Sequence, residues 1–184
     1  MKPRREIEIK LSVPDPRALK RRLNELGFHR LTARLSEKNI LFDFPDRRLT
    51  RARQAVRLRT AGGLSRLTFK GPPSVAGGYK SRDEIETGIG DARELRRILE
   101  RLGLREWIHY QKRRTTYAPP GKFNPGRVLV YDETPVGHFI ELEGPCAWID
   151  RVARQLGYGR DAYITKSYVA LYMEGAARHR THIK

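Results

Sequence analysis

The sequence has almost none of the residues that staple small folds or hold structural zinc, since Cys146 is its single cysteine. An intrachain disulfide is excluded, and without cysteine or histidine neighbours at ligand spacing Cys146 reads as a small apolar filler. Long apolar runs are also missing. No stretch approaches the roughly 20 residues that span a bilayer, and the Arg-rich start leads into alternating Glu and Ile rather than a secretory segment, so a cytoplasmic protein with no membrane association is expected. There is no Gly-rich loop ending in Gly-Lys-Ser or Gly-Lys-Thr, which removes the helix-terminus phosphate cradle from consideration. Acidic residues are in deficit: 21 Asp and Glu face 38 Lys and Arg, a formal net charge of +17 over 184 residues. Such an excess points to a polyanionic partner, and the length suits one substantial core rather than two.

What is present is a succession of strand-like segments at 4–12, 35–44, 55–60, 65–70, 80–87, 107–117, 127–133 and 138–143. Turn formers such as Gly62-Gly63, Gly71-Pro72-Pro73 and Pro135-Val136-Gly137 separate them. Helices are expected after Pro14 and Pro16, with Leu19, Leu23 and Leu26 on one face and Gly27 as the stop; from the cap Asp91 to Leu102; and from Pro145 to Leu156. The last two each end in Leu-Gly, so the chain reads as two loosely similar halves. A short helix is expected at 166–173. The organisation is one domain over 1–174 and a basic, mobile tail over 175–184.

Residues two apart in a strand project to the same face. Even spacings gather Glu6, Glu8 and Lys10; Arg57 and Arg59; Thr68 and Lys70; Arg82, Glu84 and Glu86; Lys112 and Arg114; and Glu141 and Glu143, while Asp132 shares a face with apolar Val128 and Val130. The opposite faces are apolar in several strands, among them Ile7, Ile9 and Leu11, and Ile140 and Leu142. For one strand alone, an antiparallel sheet with its charges in water explains this. Seven or eight such strands favour a sheet that curls and closes, with helices on its apolar outside and the charges converging on a channel. Clustered carboxylates suit hard divalent cations such as Mg²⁺ or Mn²⁺, and Lys and Arg suit phosphate oxygens, so a site offering both is built for a metal-polyphosphate.

The ordered set of strands resembles the CYTH proteins, also called triphosphate tunnel metalloenzymes. Glu6-x-Glu8-x-Lys10, Val56-Arg57-Leu58-Arg59, Leu67-Thr68-Phe69-Lys70-Gly71, Arg82-x-Glu84-x-Glu86, Gln111-Lys112-Arg113-Arg114, Val130-Tyr131-Asp132 and Phe139-Ile140-Glu141-Leu142-Glu143-Gly144 carry the likeness in order, with Ser167-Tyr168 on the last helix. The resemblance implies an α+β fold, an eight-stranded antiparallel closed barrel with a polar, charged interior and helices packed outside. It also implies a triphosphate-containing small-molecule substrate and Mg²⁺ or Mn²⁺. By matching position, Glu6, Glu8, Glu141 and Glu143 would hold metal, joined by Asp132, while Glu84 and Glu86 would help place metal or water. Lys10, Arg57, Arg59, Lys70, Arg82, Lys112 and Arg114 would grip phosphates; Lys10, Glu84, Glu86 and Asp132 are the catalytic candidates.

Family activities include hydrolysis of inorganic, thiamine and nucleoside triphosphates, and cyclisation of ATP. Asn39-Ile40-Leu41-Phe42-Asp43 and Asp132-Glu133-Thr134-Pro135-Val136-Gly137 look like the bacterial branch called class IV adenylate cyclase. No base-reading motif is evident, so hydrolysis is placed ahead of cyclisation. A nonenzymatic RNA- or polyphosphate-binding module is the rival from another class, since Lys20-Arg21-Arg22, Arg47-Arg48, Arg96-Arg97 and the tail lie off the charged strand faces. Nucleic acid is the less favoured partner, and a homodimer is left open. His29, His109 and His138 have no partners at ligand spacing and read as surface or packing residues, as do Trp107 and Trp148. Lys166 reads equally as a solvated side chain and as one reaching into the barrel.

Overall fold

The computed structural model describes residues 4–121, 124 and 126–181. Its strands are β1 (Arg4–Ser12), β2 (His29–Arg30), β3 (Leu35–Asp43), β4 (Ala55–Ala61), β5 (Leu64–Lys70), β6 (Ser74–Ala76), β7 (Tyr79–Ile89), β8 (Arg105–Ala118), β9 (Val128–Thr134) and β10 (Gly137–Glu143). The helices are α1 (Pro16–Glu25), α2 (Arg48–Arg51), α3 (Ala92–Arg101), α4 (Cys146–Gln155) and α5 (Tyr168–Thr181). Asp15 and Asp91 cap α1 and α3 by accepting backbone N–H groups, Arg17 and Ala18 in one case and Arg93 and Glu94 in the other. Gly27, Gly103 and Gly157 follow α1, α3 and α4 at positive φ, the left-handed turn that ends a helix with little strain only at glycine.

The strands run in the order β1-β10-β9-β8-β3-β4-β5-β7, and β7 pairs again with β1, so the sheet closes into an eight-stranded antiparallel barrel. The short β2 and β6 are appended to β8 and β7. Past Glu8, where β7 no longer accompanies β1, Ile164 takes over, exchanging two backbone hydrogen bonds of 2.9 Å with Lys10. The eight strands read from the sequence are the eight barrel strands. Unforeseen were β2, β6 and α2, all too short for periodicity to reveal. The last helix, expected at 166–173, begins at Tyr168, and its backbone runs on past position 174, after which the tail was expected to start. The side chains of that basic tail lie outside the described residues, and no described helix is long and apolar enough to cross a membrane.

The apolar core lies outside the barrel. Ile9, Leu11, Leu129, Tyr131, Ile140 and Leu142 face outward from β1, β9 and β10 onto Leu19 and Leu23 of α1 and Trp148, Ile149 and Val152 of α4. A second cluster sets Leu99 of α3 and Leu104 against Phe42 and Leu58. Trp148 is thus a core residue, and Cys146 packs at the edge of the first cluster as a free thiol. Alternation places the polar half of each strand in the interior, so the barrel is a lined channel and the helices hold it from outside.

Ile140 is fully buried and Ile98 is 55 % exposed. Ile140→Ala is expected to lower stability by about 2–5 kcal/mol and Ile98→Ala by roughly 0.5 kcal/mol or less, read as the shift in urea unfolding midpoint. Equal costs for the two would contradict an exterior core.

Candidate active site

The interior is a cavity of about 930 Å³. Every site residue expected from the sequence lines it except Asp132, which is buried in its wall. Strand register sets opposite charges side by side: Glu6 opposite Arg82 and Glu8 opposite Lys80 on β7, Lys10 opposite Glu141 on β10, Glu37 opposite Lys112, Lys70 opposite Glu84, and Arg114 opposite Asp132. Such directly opposed pairs support the sheet, and burial makes the pairing obligatory.

One wall is acidic. Glu8 lies opposite Glu143 between β1 and β10, a like-charged pair. Glu6 is pushed up from 4.5 to about 8, first by burial and then by the charges of Glu143 and Glu84. Glu8 goes the other way, down to about 2: burial opposes the change, but Lys10 and Lys80 hold it ionised. Lys80 donates to Glu8 at 2.5 Å, and Lys10 Nζ stands 3.5 Å from Glu8 and 3.1 Å from Glu141. Lys10 is 2 % exposed and its pKa is raised, because those two carboxylates outweigh the burial that would lower it.

The facing wall is basic. Asp132, 0 % exposed, accepts four hydrogen bonds: from Arg114 Nε (2.7 Å) at one oxygen, and from Arg114 Nη2 (2.6 Å), Lys112 Nζ (2.8 Å) and the Tyr168 hydroxyl (2.7 Å) at the other. Arg114 reaches Glu141 as well, and the Tyr168 ring lies 4.6 Å from Lys112 Nζ and 5.2 Å from Lys10 Nζ. On the neighbouring strands Glu86 accepts from Thr68 (2.8 Å), Arg59 (3.3 Å) and Arg66 (3.0 Å). Lys70 pairs with Glu84, and its pKa falls to about 8 through burial first and the Arg57 charge second. Arg57 and Arg82 each keep a buried Nε with no protein partner.

The lining also includes Leu41, Thr50, Arg53, Gln54 and Trp107, here called the rim. Asp43 pins this rim: its carboxylate accepts the backbone N–H groups of Phe44 (2.7 Å), Leu49 (3.1 Å) and Thr50 (3.1 Å) and the Thr50 hydroxyl (2.6 Å). Thr165–Val169 enter the lining as well, Lys166 among them, though Lys166 pairs with Glu174. Neither His109 nor His138 lines the tunnel: His109 pairs with Glu106 and His138 hydrogen-bonds Tyr131 at 2.8 Å.

A family model of the CYTH domain matches residues 4–168. The chain belongs to the CYTH family. A Methanocaldococcus jannaschii protein named as a candidate adenylate cyclase is 30 % identical over 176 residues, covering 90 % of this chain and 97 % of the relative. Among solved structures, the PH1819 protein of Pyrococcus horikoshii superposes with a TM-score of 0.75 at 26 % identity, covering 92 % and 99 % of the two chains. A Hippeastrum candidate adenylyl cyclase, described as revealing a dominant triphosphatase activity, gives a TM-score of 0.65 at 21 % identity, covering 92 % and 96 %.

Within this CYTH tunnel the sequence reading passed over Glu37, Lys80 and Tyr110 and gave no role to Tyr168. The signal was there for three of them. Lys80 and Tyr110 sit two residues before Arg82 and Lys112, and Glu37 shares its face with Leu41, so parity alone would have added them. Tyr168 reaches the tunnel from a helix terminus, which strand parity cannot predict.

Among the described residues no three carboxylate, imidazole or thiolate groups already converge as a metal cage. The donor set nevertheless fits a hard divalent cation: Glu6, Glu8, Glu141 and Glu143 line the same cavity, Glu8 lies directly opposite Glu143, and a cation would relieve the crowding that raises Glu6. A carboxyl raised to about 8 binds its proton more tightly folded than unfolded, so its contribution to stability is lost as pH rises from 4.5 to 8. Glu6→Gln is therefore expected to match the wild type near pH 5 and to melt higher above pH 8, in protein stripped of metal. Thermal melts against pH check this; a variant less stable at both ends would refute the crowding.

Proposed function

We propose that the chain is a metal-dependent enzyme that hydrolyses a triphosphate compound, with inorganic triphosphate as the first substrate to try. The observation that carries this reading is the facing of an acidic wall, Glu6, Glu8, Glu141 and Glu143, by a basic wall in one enclosed tunnel. Those four carboxylates would hold Mg²⁺ or Mn²⁺, which when bound polarises phosphoryl oxygens and offsets the charge that builds on the leaving group. Lys10, Arg57, Arg59, Lys70, Arg82, Lys112 and Arg114 would take the phosphate oxygens. Because they are buried or half-buried and already oriented, little reorganisation is left for the transition state, where catalysis of phosphoryl transfer is mostly electrostatic.

Asp132 is assigned to hold Lys112 and Arg114 in position rather than to ligate metal, since Arg114, Lys112 and Tyr168 already donate four hydrogen bonds to it. Glu84 steers Lys70 and stands within reach of Glu6, and Glu86 orders Arg59 and Thr68. Triphosphatase activity in the Hippeastrum protein supports hydrolysis. The rim of Leu41, Thr50, Gln54 and Trp107, with the name of the Methanocaldococcus jannaschii relative, supports a second reading: ATP bound with its base at that rim and cyclised by attack of the ribose 3′-hydroxyl on the α-phosphate.

Metal-stripped protein, remetallated and incubated with tripolyphosphate, ATP or thiamine triphosphate, is expected to release phosphate only with added Mg²⁺ or Mn²⁺. Glu141→Ala should lose about 10²–10³-fold in turnover while remaining folded. Cyclic AMP from ATP with tripolyphosphate untouched would instead establish the cyclase. Salt-sensitive binding without any product would establish a binding module.

A further inference from the structure

One polar side chain in the tunnel wall serves neither the acidic pole nor the phosphate grip. Asn39 is 1 % exposed, yet neither its amide nitrogen nor its amide oxygen has a hydrogen-bond partner in the protein. It lies on the inward face of β3 between Glu37 and Leu41, and its neighbours across the ladder are Arg59 and Tyr110, both of which line the cavity. Buried amides are nearly always paired, so two bare ends on one side chain call for an occupant.

Glu37 stands two residues away on the same face and repeats the feature. It is 4 % exposed and its Oε2 accepts no hydrogen bond, although Lys112 Nζ is 3.6 Å away. Alternate residues on a strand project from the same face, their Cα atoms roughly 6.6 Å apart, so their side-chain ends lean close enough together to share one bridging oxygen. A phosphate oxygen is a poor fit here, because it can only accept and would face the Glu37 carboxylate. A water molecule both accepts and donates, and so can join Asn39 Nδ2 to Glu37 Oε2.

We infer that Glu37 and Asn39 seat the water molecule that attacks the terminal phosphorus of the substrate, an assignment that rests on the hydrolase reading above. Asn39 Nδ2 donates to the water oxygen and the water donates to Glu37 Oε2, which leaves a lone pair for the phosphoryl group. The cations that would carry that group are adjacent: Arg59 is 3.7 Å and Arg114 3.9 Å from Glu37 Oε1. In the step, the water oxygen bonds to phosphorus and the bond from phosphorus to the bridging oxygen breaks, its electron pair leaving on that oxygen. One water proton passes to Glu37 Oε2 and then to the departing products. Glu86, the other carboxylate beside Arg59, is occupied by Thr68, Arg59 and Arg66. Asn39 is thus a positioning residue, and Glu37 the group that touches the reacting water.

The test uses the metal-loaded full chain and whichever of tripolyphosphate, ATP or thiamine triphosphate the wild type splits. Asn39→Leu, similar in size and unable to hydrogen-bond, is expected to lower kcat about 10²-fold with KM unchanged. It should also raise the melting temperature of the ligand-free protein, because the bare amide is gone. Glu37→Gln should lower kcat in the same way and guards against a folding defect in the first variant. Wild-type kcat in both variants would remove the water seat while leaving the hydrolase intact. A wild type that splits none of the three would remove the hydrolase reading and the water seat together.

Discussion

Opposite charges paired across neighbouring strands inside a closed barrel are the interaction on which this structure depends. Removing a charged side chain from water costs several kcal/mol unless a partner and hydrogen bonds replace the solvent, so each inward residue constrains the one beside it. The registers that set Glu6 opposite Arg82, Lys10 opposite Glu141 and Arg114 opposite Asp132 meet that condition in one stroke. A slip of one residue would turn the charges out and drive Ile7, Ile9 and Leu11 into the channel, so the exterior apolar core and the interior ion pairs specify the same register.

The compensation is uneven, and the unevenness is where chemistry resides. The basic wall is tied down through Asp132, whose carboxylate is filled by its donors. The acidic wall has Glu8 facing Glu143 and a Glu6 that keeps its proton. A ligand combining a divalent cation with several phosphate oxygens complements both walls at once, whereas either component alone leaves one of them unsatisfied. Of the lining residues near Leu41 and Trp107, Thr50 comes from the segment that Asp43 pins, while Leu41 and Trp107 belong to the barrel strands themselves.

Much of this was legible in the sequence because a strand of period two writes its two environments on alternate residues. The eight strands and the inward set from Glu6 to Glu143 followed from that parity, and the ordered motifs on those strands carried the resemblance to the family. Three kinds of feature did not. The turns of α2 and the pairs β2 and β6 are too short to show a period. Glu37, Asn39 and Lys80 were readable by parity but were passed over, since a polar residue next to Lys38 or Ser81 resembles an ordinary exposed strand. The role of Tyr168 depends on a helix packing against the barrel end, and only the folded chain puts its hydroxyl on Asp132.

That last contact ties the tunnel to the order of segments along the chain. β1 comes first among the barrel strands in sequence order, yet its partners are β7 and β10, and beyond them Ile164, so both its sides are paired only by segments far along the chain. Until Tyr168 follows, Asp132 also lacks one donor and the Lys10 and Lys112 ammoniums lack the ring that covers them. Without β10 and the segment that carries Tyr168 the sheet is open and its charged face incompletely paired, so closure needs strands distant in sequence to meet. The loop-closure entropy of these distant pairings places barrel closure, rather than helix formation, as the slow event in folding.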